Sequence, residues 1–550
     1  MKTEKSNRIH LARIHPAIGI ARLGNSPSEH FIGPEIPRVY DFPLGGFRDA
    51  KNRLKRQAAR FRILGYDERD RFVAEITEAD ATIEWTVQLR NSKAVGRWFG
   101  GVLRPDEPQR NAAWIARGNS ESQLILDPGS GKVSKEKVSK SLLCQEFMAV
   151  KFAPVLELGR LIYEEGSGRL IVLGGQGRSG TPYPNKYKLG DEGLEFANHD
   201  GWFDDTSDGS ITAKVTLKDG RELYVKTAWV IAAPPKFAPE LQNVVTLYDT
   251  LYQVAIDRGM IPNPFSDPAF WPSFNRDIYP ILRRADQMRW TFAKSSIGHT
   301  FAAGPGGRNE RMHIFQQFRV PSGHPKEPGT GTGRMPYNWS DLYKTPAVSG
   351  TLTLTQYRVM QAWAEGNFEN DWDGNPPPLK FDITPAGLDR AALEACVGAP
   401  FYPGIEVSWK MRDVFKYTEP FRLNSDALSP GDVSQQMSLP WQTDFVDCAY
   451  EDPYVWWPAQ RPIDVIPDGK EKYVHWDRKL DVDVEGTDET IGMDDMVRNF
   501  HRLGHVLRSG EQFSETGRLD QDNPDPGFNV ENFKLPRKKR SSSSRKPPKS

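Results

Sequence analysis

A carboxylate, a thiol and several indole rings lie close together late in the sequence. Asp444 precedes Cys448 by four residues, Trp441 precedes both, and Trp456 and Trp457 follow within ten residues of the cysteine. A carboxylate held among aromatic rings suits the role of a general base. By residue type alone, an isolated cysteine among aromatics is more typical of a small buried apolar side chain, with the aspartate in a turn and the tryptophans in the core. The pattern is therefore a candidate site that needs further support.

A glycine motif earlier in the chain resembles a nucleotide fingerprint but lacks the helix that such a fingerprint needs. Gly175, Gly177 and Gly180 follow an apolar run, yet Pro182 and Pro184 come next and prevent a normal helix from opening there. The sequence favours a glycine-rich loop at a sheet edge. A nicotinamide- or flavin-dependent oxidoreductase remains a weak alternative.

No metal site is predicted. The acidic run at Asp204, Asp205 and Asp208 resembles a calcium loop, but Val215 stands where a bidentate glutamate is needed. An Asx-type turn leading into a strand explains it better. The three cysteines have no zinc spacing, and His-Glu-x-x-His is absent.

The elements that must position these residues are mostly strands in the first half of the chain. Runs of β-branched and aromatic residues bounded by turn formers predict strands at 81–90, 169–173, 211–217 and 222–232, with a hairpin turn at 218–220. Apolar spacing of three to four residues predicts helices at 49–62, 244–258, 357–365, 385–397 and 494–507. The fold class is α+β: one strand-rich catalytic unit with helical insertions and long ordered loops.

Composition narrows the class of protein and its partners. The 550 residues carry 72 Lys and Arg against 72 Asp and Glu, so no charge imbalance points to a specific nucleic acid or an anionic membrane. The N-terminus lacks the apolar stretch of a signal peptide, and no run of about 18 apolar residues is present. Three cysteines suit a reducing compartment. We expect a cytoplasmic protein.

The chain divides into residues 1–535, predicted to be one catalytic unit, and residues 536–550. That last stretch is basic and rich in serine and proline, which predicts a disordered tail. It could direct the protein elsewhere or serve only to keep it in solution.

Three segments near the N-terminus, which follow one another in the same order as in a known family, carry a resemblance to it. They are Ile-His-Pro-Ala-Ile-Gly-Ile-Ala-Arg-Leu-Gly-Asn at 14–25, Tyr-Asp-Phe-Pro-Leu-Gly-Gly-Phe-Arg-Asp at 40–49, and Leu-Lys-Arg-Gln-Ala-Ala-Arg-Phe-Arg at 54–62. Together with Asp-Gly-Trp-Phe-Asp-Asp at 200–205 and Trp-Gln-Thr-Asp-Phe-Val-Asp-Cys at 441–448, they resemble the L-lysine ε-oxidase and glycine oxidase family of quinoproteins. The similarity extends over most of the chain up to the basic tail.

The resemblance implies a chemistry for the late segment. In the family, the matching cysteine is crosslinked to a modified tryptophan to give cysteine tryptophylquinone, and the carboxylate four residues before it assists cofactor formation and catalysis. Cys448 and Asp444 match these two positions. A quinone carbonyl is electrophilic and accepts a primary amine, while a nearby carboxylate takes a proton. Oxygen then reoxidises the ring, giving hydrogen peroxide and ammonia.

One position departs from the family pattern. The resemblance places the quinone tryptophan after an asparagine before a Leu-Gly pair, and here Phe500 follows Asn499. A phenyl ring cannot become a tryptophan-derived quinone. Three explanations stay open: the quinone tryptophan lies elsewhere, another indole such as Trp456, Trp457 or Trp476 has taken over, or quinone chemistry has been lost.

The leading hypothesis is a cysteine tryptophylquinone oxidase of a small primary amine or amino acid, matured by a partner flavoprotein. Asp444 and Cys448 are its candidate catalytic residues, and Cys448, Trp457, Trp456, Trp441 and Phe500 form its candidate cofactor site. The alternative is a quinone-free homologue with a binding or non-redox biosynthetic role, for which Phe500 is the main argument.

Overall fold

The computed structural model describes most of the chain outside its termini and several internal stretches. The described residues are 9–40, 42–96, 110–182, 199–297, 304–321, 351–398, 405–446, 450–451, 454–455, 458–476 and 496–519. Of the candidate residues, Cys448, Trp456 and Trp457 lie outside these ranges, as does the basic tail.

Fourteen strands of the described chain form one large sheet. They are β1 Leu11–His15, β2 Ile18–Arg22, β3 His30–Ile32, β4 Arg56–Tyr66, β5 Phe72–Ile76, β6 Ala81–Arg90, β7 Ser130–Ser134, β8 Ser139–Phe147, β9 Val150–Glu164, β10 Arg169–Gly174, β13 Ser207–Leu217, β14 Glu222–Leu223, β15 Val225–Lys226 and β16 Ala228–Ala233. Their central order is β7-β6-β13-β16-β2-β4-β10-β9-β8, and the other members join it through β1, β4 or β13.

Short two-stranded pairs lie outside that sheet. They are β11 Ser179–Gly180 with β12 Phe203–Asp204, β17 Tyr417–Glu419 with β18 Arg422–Leu423, β19 Tyr450–Glu451 with β20 Tyr454–Val455, β21 Asp464–Val465 with β22 Val474–His475, and β23 His505–Ser509 with β24 Gln512–Thr516.

Helices cover the sheet and form a smaller cluster of their own. The helices are α1 Ala112–Ala116, α2 Leu247–Asp257, α3 Tyr279–Gln287, α4 Arg308–Gln316, α5 Leu354–Glu365, α6 Pro385–Glu394 and α7 Thr443–Val446. Leu247 and Leu251 of α2 and Leu393 of α6 pack with Ile18 and Trp229 of the sheet in one buried cluster. Burying such side chains is worth about 1.5–3 kcal/mol each. Within the described ranges, no helix has the length and apolarity to cross a bilayer.

The strand framework agrees with the sequence predictions. The predicted strand 81–90 is β6, and the predicted hairpin joins β13 to β14 through Gly220, whose φ of +89° is easily reached only by glycine. The stretch 222–232 is broken into β14, β15 and most of β16. The predicted helices at 244–258, 357–365 and 385–397 correspond to α2, α5 and α6. The predicted α+β class is confirmed.

The predicted helix at 49–62 is wrong, because most of that stretch belongs to strand β4. A helix with this apolar spacing would turn its arginines to solvent, yet Arg56 and Arg62 are buried against distant carboxylates. Arg56 is paired with Glu157 at 2.8 Å, and Arg62 with Glu35 at 2.9 Å. These ion pairs let charged side chains occupy a strand inside the sheet.

The predicted helix at 494–507 is confirmed only in part, because within the described residues 496–499 alone are α-helical. After residues 496–499, the chain takes a 3₁₀ turn over Phe500–Arg502 and then enters β23. The glycine motif after β10 opens no helix within 175–182 and leads into the β11–β12 pair. This agrees with the predicted loop at a sheet edge.

Candidate active site

Trp441 is fixed in the interior by Asp204 at the end of strand β12. Its backbone N–H donates to Asp204 Oδ2 at 2.9 Å, and that carboxylate also pairs with the ammonium of Lys93. Lys93 Nζ donates a second hydrogen bond, to the Ser438 carbonyl, at 2.6 Å. The Lys93 and Asp204 side chains are both 0% exposed. The Trp441 segment therefore rests on an internal ion pair.

Phe500 lies directly against Trp441. The two rings meet edge to face with centroids 5.0 Å apart, and Phe500 is only 4% exposed. Aromatic pairs in this arrangement attract each other beyond simple area burial. Gln442 anchors the same region to the glycine loop, because its Oε1 accepts from Ser179 Oγ at 2.7 Å and its Nε2 donates to the Gly177 carbonyl at 3.2 Å.

The glycine loop makes room for the Phe500 ring. Gly177 has a φ of +78°, and a Cβ at this position would lie 2.2 Å from Phe500 Cζ, well inside contact distance. Both the backbone conformation and the neighbour thus require glycine at residue 177. The sequence motif that resembles a nucleotide fingerprint serves here as a close packing surface.

Replacing Gly177 with alanine should destabilise the protein by more than backbone strain alone. We expect Gly220→Ala, which also has positive φ but nothing within 4 Å, to cost about 1 kcal/mol. Gly177→Ala should cost about 1–3 kcal/mol more, because its methyl group overpacks Phe500. Urea unfolding of both variants measures the difference. Equal losses in the two variants would mean that the Phe500 contact is unimportant.

Asp444 forms a buried ion pair beside this aromatic cluster. Its Oδ2 lies 3.0 Å from Arg461 Nη1, and the two side chains are 2% and 0% exposed. This is a charge contact rather than an aligned hydrogen bond, and neither carboxylate oxygen accepts a hydrogen bond from a described residue. The Arg461 guanidinium also lies over the Phe445 ring at 5.6 Å. Asp444 is thus a buried carboxylate whose charge is balanced by Arg461.

A second buried carboxyl group holds the glycine loop. Asp205 Oδ2 accepts the Gln176 N–H at 2.6 Å, and the Asp205 N–H donates to the Arg178 carbonyl at 3.0 Å. Burial raises the pKa of Asp205 to about 7, with a further rise from neighbouring Asp204 and opposing hydrogen bonds from the loop. The folded state therefore binds a proton that the unfolded chain, with a carboxyl pKa near 3.8, releases.

This difference predicts a pH dependence of stability. Between pH about 4 and about 7 the folded state binds more protons, so the free energy of unfolding should fall as pH rises, by at most about 1.4 kcal/mol per pH unit. Asp205→Asn should flatten that slope. Burial also raises the pKa of Asp208, to about 6, so Asp208 lowers the stability with rising pH in the same way. Because both the unaltered protein and Asp205→Asn contain Asp208, part of the slope should remain in the variant. Urea unfolding at several pH values checks it, and parallel curves for the two proteins would contradict the assignment to Asp205.

The structure brings three of the sequence-predicted residues together. Trp441 contacts Phe500 directly, and Asp444 follows Trp441 by three residues at the start of α7. Trp476 is buried but contacts Phe237 at 5.4 Å, one ring further away, because Phe237 in turn meets Phe445 at 5.9 Å. The positions of Cys448, Trp456 and Trp457 relative to these rings lie outside the described residues.

Sequence reasoning missed the charged partners of the site. Arg461 lies in the sequence Trp-Trp-Pro-Ala-Gln-Arg-Pro at 456–462, of which only the two tryptophans were predicted to belong to the site. Lys93 carries no local signal, since its partner Asp204 is 111 residues away in sequence. An arginine in an otherwise aromatic run is the one clue that pointed to a buried carboxylate partner.

Comparisons with known proteins place the chain in one family. The chain matches the model of the L-lysine ε-oxidase N-terminal domain over residues 15–232 and that of the C-terminal domain over residues 332–466. It is 26% identical over 535 residues to L-lysine 6-oxidase of Marinomonas mediterranea, covering 80% of this chain and 71% of that protein.

Solved structures give the same answer for the fold. The crystal structure of the L-Lys ε-oxidase from Marinomonas mediterranea superposes with a TM-score of 0.72 at 22% identity, covering 92% of this chain and 94% of the other. The Schiff base intermediate of that enzyme with L-Lys superposes with a TM-score of 0.71, covering 92% and 95%. The large curled sheet is therefore the fold of this oxidase.

The chain belongs to the L-lysine ε-oxidase family, whose two domain models together span more than half of it. The family's enzymes are quinoprotein amine oxidases, oxidoreductases that act on CH–NH2 groups with oxygen as acceptor. The predicted family and enzyme class are confirmed. The comparisons give no support to the quinone-free alternative.

Family members carry a protein-derived cysteine tryptophylquinone, so the residues of this chain must be tested against that group. Phe500 does not fit, since its phenyl ring packs against Trp441 and Gly177 and has no indole to oxygenate. Trp441 does have an indole ring that could be oxygenated to a quinone. Its ring is 1% exposed, and its Nε1 has no hydrogen-bond partner among the described residues.

Proposed function

We propose that this protein oxidises a small primary amine or amino acid at a centre built from Asp444 and Cys448. The observation that carries the proposal is the buried Asp444 carboxylate. It is held by Arg461 beside Trp441 and Phe445, four residues before a cysteine that matches the family pattern. The reaction class follows from family membership. The amine that this protein oxidises need not be lysine.

Asp444 acts in this proposal as the base that removes a proton from the carbon bearing the amine. A cysteine tryptophylquinone would supply an electrophilic carbonyl and an electron sink for the amine. The Arg461 guanidinium holds the Asp444 carboxylate in place and compensates its charge inside the protein. The Asp444 side chain is 2% exposed, and its chain neighbour Phe445 packs against Trp441 and Phe237, so water is kept away from the carboxylate. The chain's own residues thus hold a base in a dry pocket.

The indole partner of Cys448 is proposed to be Trp441, Trp456 or Trp457 rather than a residue at position 500. Trp441 is supported by its buried indole beside Phe500. Trp456 and Trp457 are supported by the hairpin in which Tyr450 pairs with Val455 and Glu451 with Tyr454, because a crosslink to either needs the chain to turn back after Cys448. We propose that a partner flavoprotein introduces the oxygen atoms, as the family resemblance implies, and that residues 1–535 act as one catalytic unit.

Intact mass of the purified protein tests the proposal. The protein should be expressed with and without its native flavoprotein neighbour. Formation of the group adds two oxygen atoms and removes four hydrogen atoms, two of them in forming the thioether. We expect this mass change only with the flavoprotein, together with release of hydrogen peroxide from a primary amine. Peptide mapping then shows which of the three tryptophans is joined to Cys448.

Two variants make the result decisive. Cys448→Ser should abolish both the mass change and the peroxide, whereas Cys144→Ser, at a buried cysteine in β8, should leave both intact. An unmodified mass in the presence of the flavoprotein, with no peroxide from any amine tested, would end the oxidase proposal for this chain.

A further inference from the structure

A cleft away from the Asp444 pocket is lined by two arginines. It lies between residues 34–40, residues 239–242 and helices α3 and α6, and its empty volume, open solvent included, is about 410 Å³. Arg38 and Arg283 line it together with Gln242, Gln287 and Tyr40. None of the lining residues contributes to the Trp441 and Asp444 cluster.

Arg283 has no acceptor for its guanidinium among the residues that the structure describes. No hydrogen bond or ion pair joins it to any residue of the described chain, although its neighbour on α3, Arg284, pairs with Asp249 at 2.7 Å. Burial is the main cause that lowers the pKa of Arg283; the nearby charge of Arg38 adds to this lowering, while Tyr279 and Glu394 oppose it. A half-buried cation that is repelled by a second cation is an unfavourable arrangement unless an anion joins it.

Arg38, which also lines the cleft, likewise has no ion-pair partner among the described residues. Its backbone adopts the left-handed region with φ of 64°, which a residue with a Cβ seldom adopts without compensation. Its Nε is buried without a hydrogen bond, and no described residue forms an ion pair with it. Burial is the main cause that lowers the pKa of Arg38.

The acidic groups around the cleft are already engaged. Glu240 lies at 3.3 Å from Arg508, and Glu394 at 2.6 Å from Arg390. Below the cleft, the Ala395 carbonyl accepts from Arg22 at 2.9 Å and from Lys236 at 3.3 Å, while Glu406 is paired with Arg22. Among the described residues no carboxylate forms an ion pair with Arg38 or Arg283, and Glu394, which is paired with Arg390, raises the pKa of both only through space.

We propose that this cleft binds a small oxyanion, a carboxylate or a phosphate, between the guanidinium groups of Arg38 and Arg283. Two planar guanidinium forks suit the paired oxygens of such a group, and each fork can donate two parallel hydrogen bonds. The side-chain amides of Gln242 and Gln287, which make no hydrogen bond to described residues, add donors on the same cleft. The site is independent of the quinone chemistry.

Thermal unfolding and calorimetric titration of the full chain test this site. The probes are inorganic phosphate and succinate, each compared with sodium chloride at equal ionic strength, and they separate the two chemical sources of the anion. We expect phosphate, succinate or both to raise the unfolding midpoint of the unaltered protein. Arg38→Gln and Arg283→Gln should each weaken binding about tenfold or more, the loss expected for a charge-assisted pair of hydrogen bonds.

Arg276→Gln serves as the matched control, because Arg276 is 64% exposed and paired only with its neighbour Asp277. It should bind as the unaltered protein does. In chloride alone, Arg283→Gln should be at least as stable as the unaltered protein, since it removes a half-buried cation that has no ion-pair partner among the described residues. The proposal is overturned if neither probe stabilises the unaltered protein more than chloride does. It also fails if the three variants respond equally.

Discussion

Asp444→Asn should reduce amine oxidation by about 10²- to 10⁴-fold, the range expected when a positioned general base is removed. Asparagine keeps the size of the side chain but cannot accept a proton at neutral pH. The aspartate lies beside Trp441 and Phe445 with its side chain 2% exposed, so water cannot easily take its place. Steady-state release of hydrogen peroxide from a primary amine measures the effect.

Mass spectrometry of the same variant separates two roles of the carboxylate. If Asp444 is needed only to build the cofactor, Asp444→Asn will lack the mass change and the activity together. If Asp444 also acts in turnover, the fraction of Asp444→Asn molecules that carry the mass change will still oxidise the amine slowly. Asp426→Asn is the control, since Asp426 is exposed and its carboxylate has no partner among described residues. Activity of Asp444→Asn within about threefold of normal would exclude the base role, given the loss expected otherwise.

The sequence predicted much of the fold and part of the site because both have local signals. Strand β6 and the hairpin at Gly220 follow from alternation and turn chemistry over about ten residues. Trp441 and Asp444 were identified because they lie in one short motif. Phe500 was placed beside them by family resemblance, and the structure does show it against Trp441.

The partners that charge and hold the site could not be predicted, because they are distant in the chain. The stretch 49–62 was mistaken for a helix for the same reason, since Glu157 is 101 residues from Arg56 and Glu35 is 27 residues from Arg62. Periodicity assumes that charged residues face solvent. That assumption fails wherever a buried arginine or lysine meets a carboxylate from another strand. The same failure hid Lys93.

Lys93→Met should destabilise the protein by about 3–5 kcal/mol, the cost of breaking a buried ion pair and leaving one charge alone. Methionine matches the length and the apolar stem of lysine but leaves Asp204 without its cation. Asp204 keeps hydrogen bonds from the Asn91 amide at 2.9 Å, from Thr206 Oγ1 at 2.7 Å and from the Trp441 backbone. These neutral donors cannot replace the charge. Urea unfolding at neutral pH measures the loss.

Lys132→Met is the matched control for this prediction. Lys132 pairs with Glu84 at 2.8 Å, as Lys93 pairs with Asp204, but its side chain and that of Glu84 are 57% and 42% exposed. Solvent screens such a pair, so its removal should cost about 0–1 kcal/mol. Equal losses from the two substitutions would show that burial does not strengthen the Lys93 pair.

Lys93→Met should also lower the activity, because Lys93 holds the Trp441 segment through Asp204. Asp204 holds the Trp441 backbone N–H, and the charge of Asp444 is felt at Lys93, where it raises the lysine pKa against the larger lowering by burial. Removing the ammonium takes away a positive charge that faces Asp444 together with Arg461. In urea-free buffer, where the variant is still folded, we therefore expect peroxide release to fall severalfold. Lys132→Met should leave it unchanged, because Lys132 lies on β7 and contacts neither residue. If Lys93→Met loses stability but keeps full activity, the ion pair supports the fold without positioning Trp441 for the reaction.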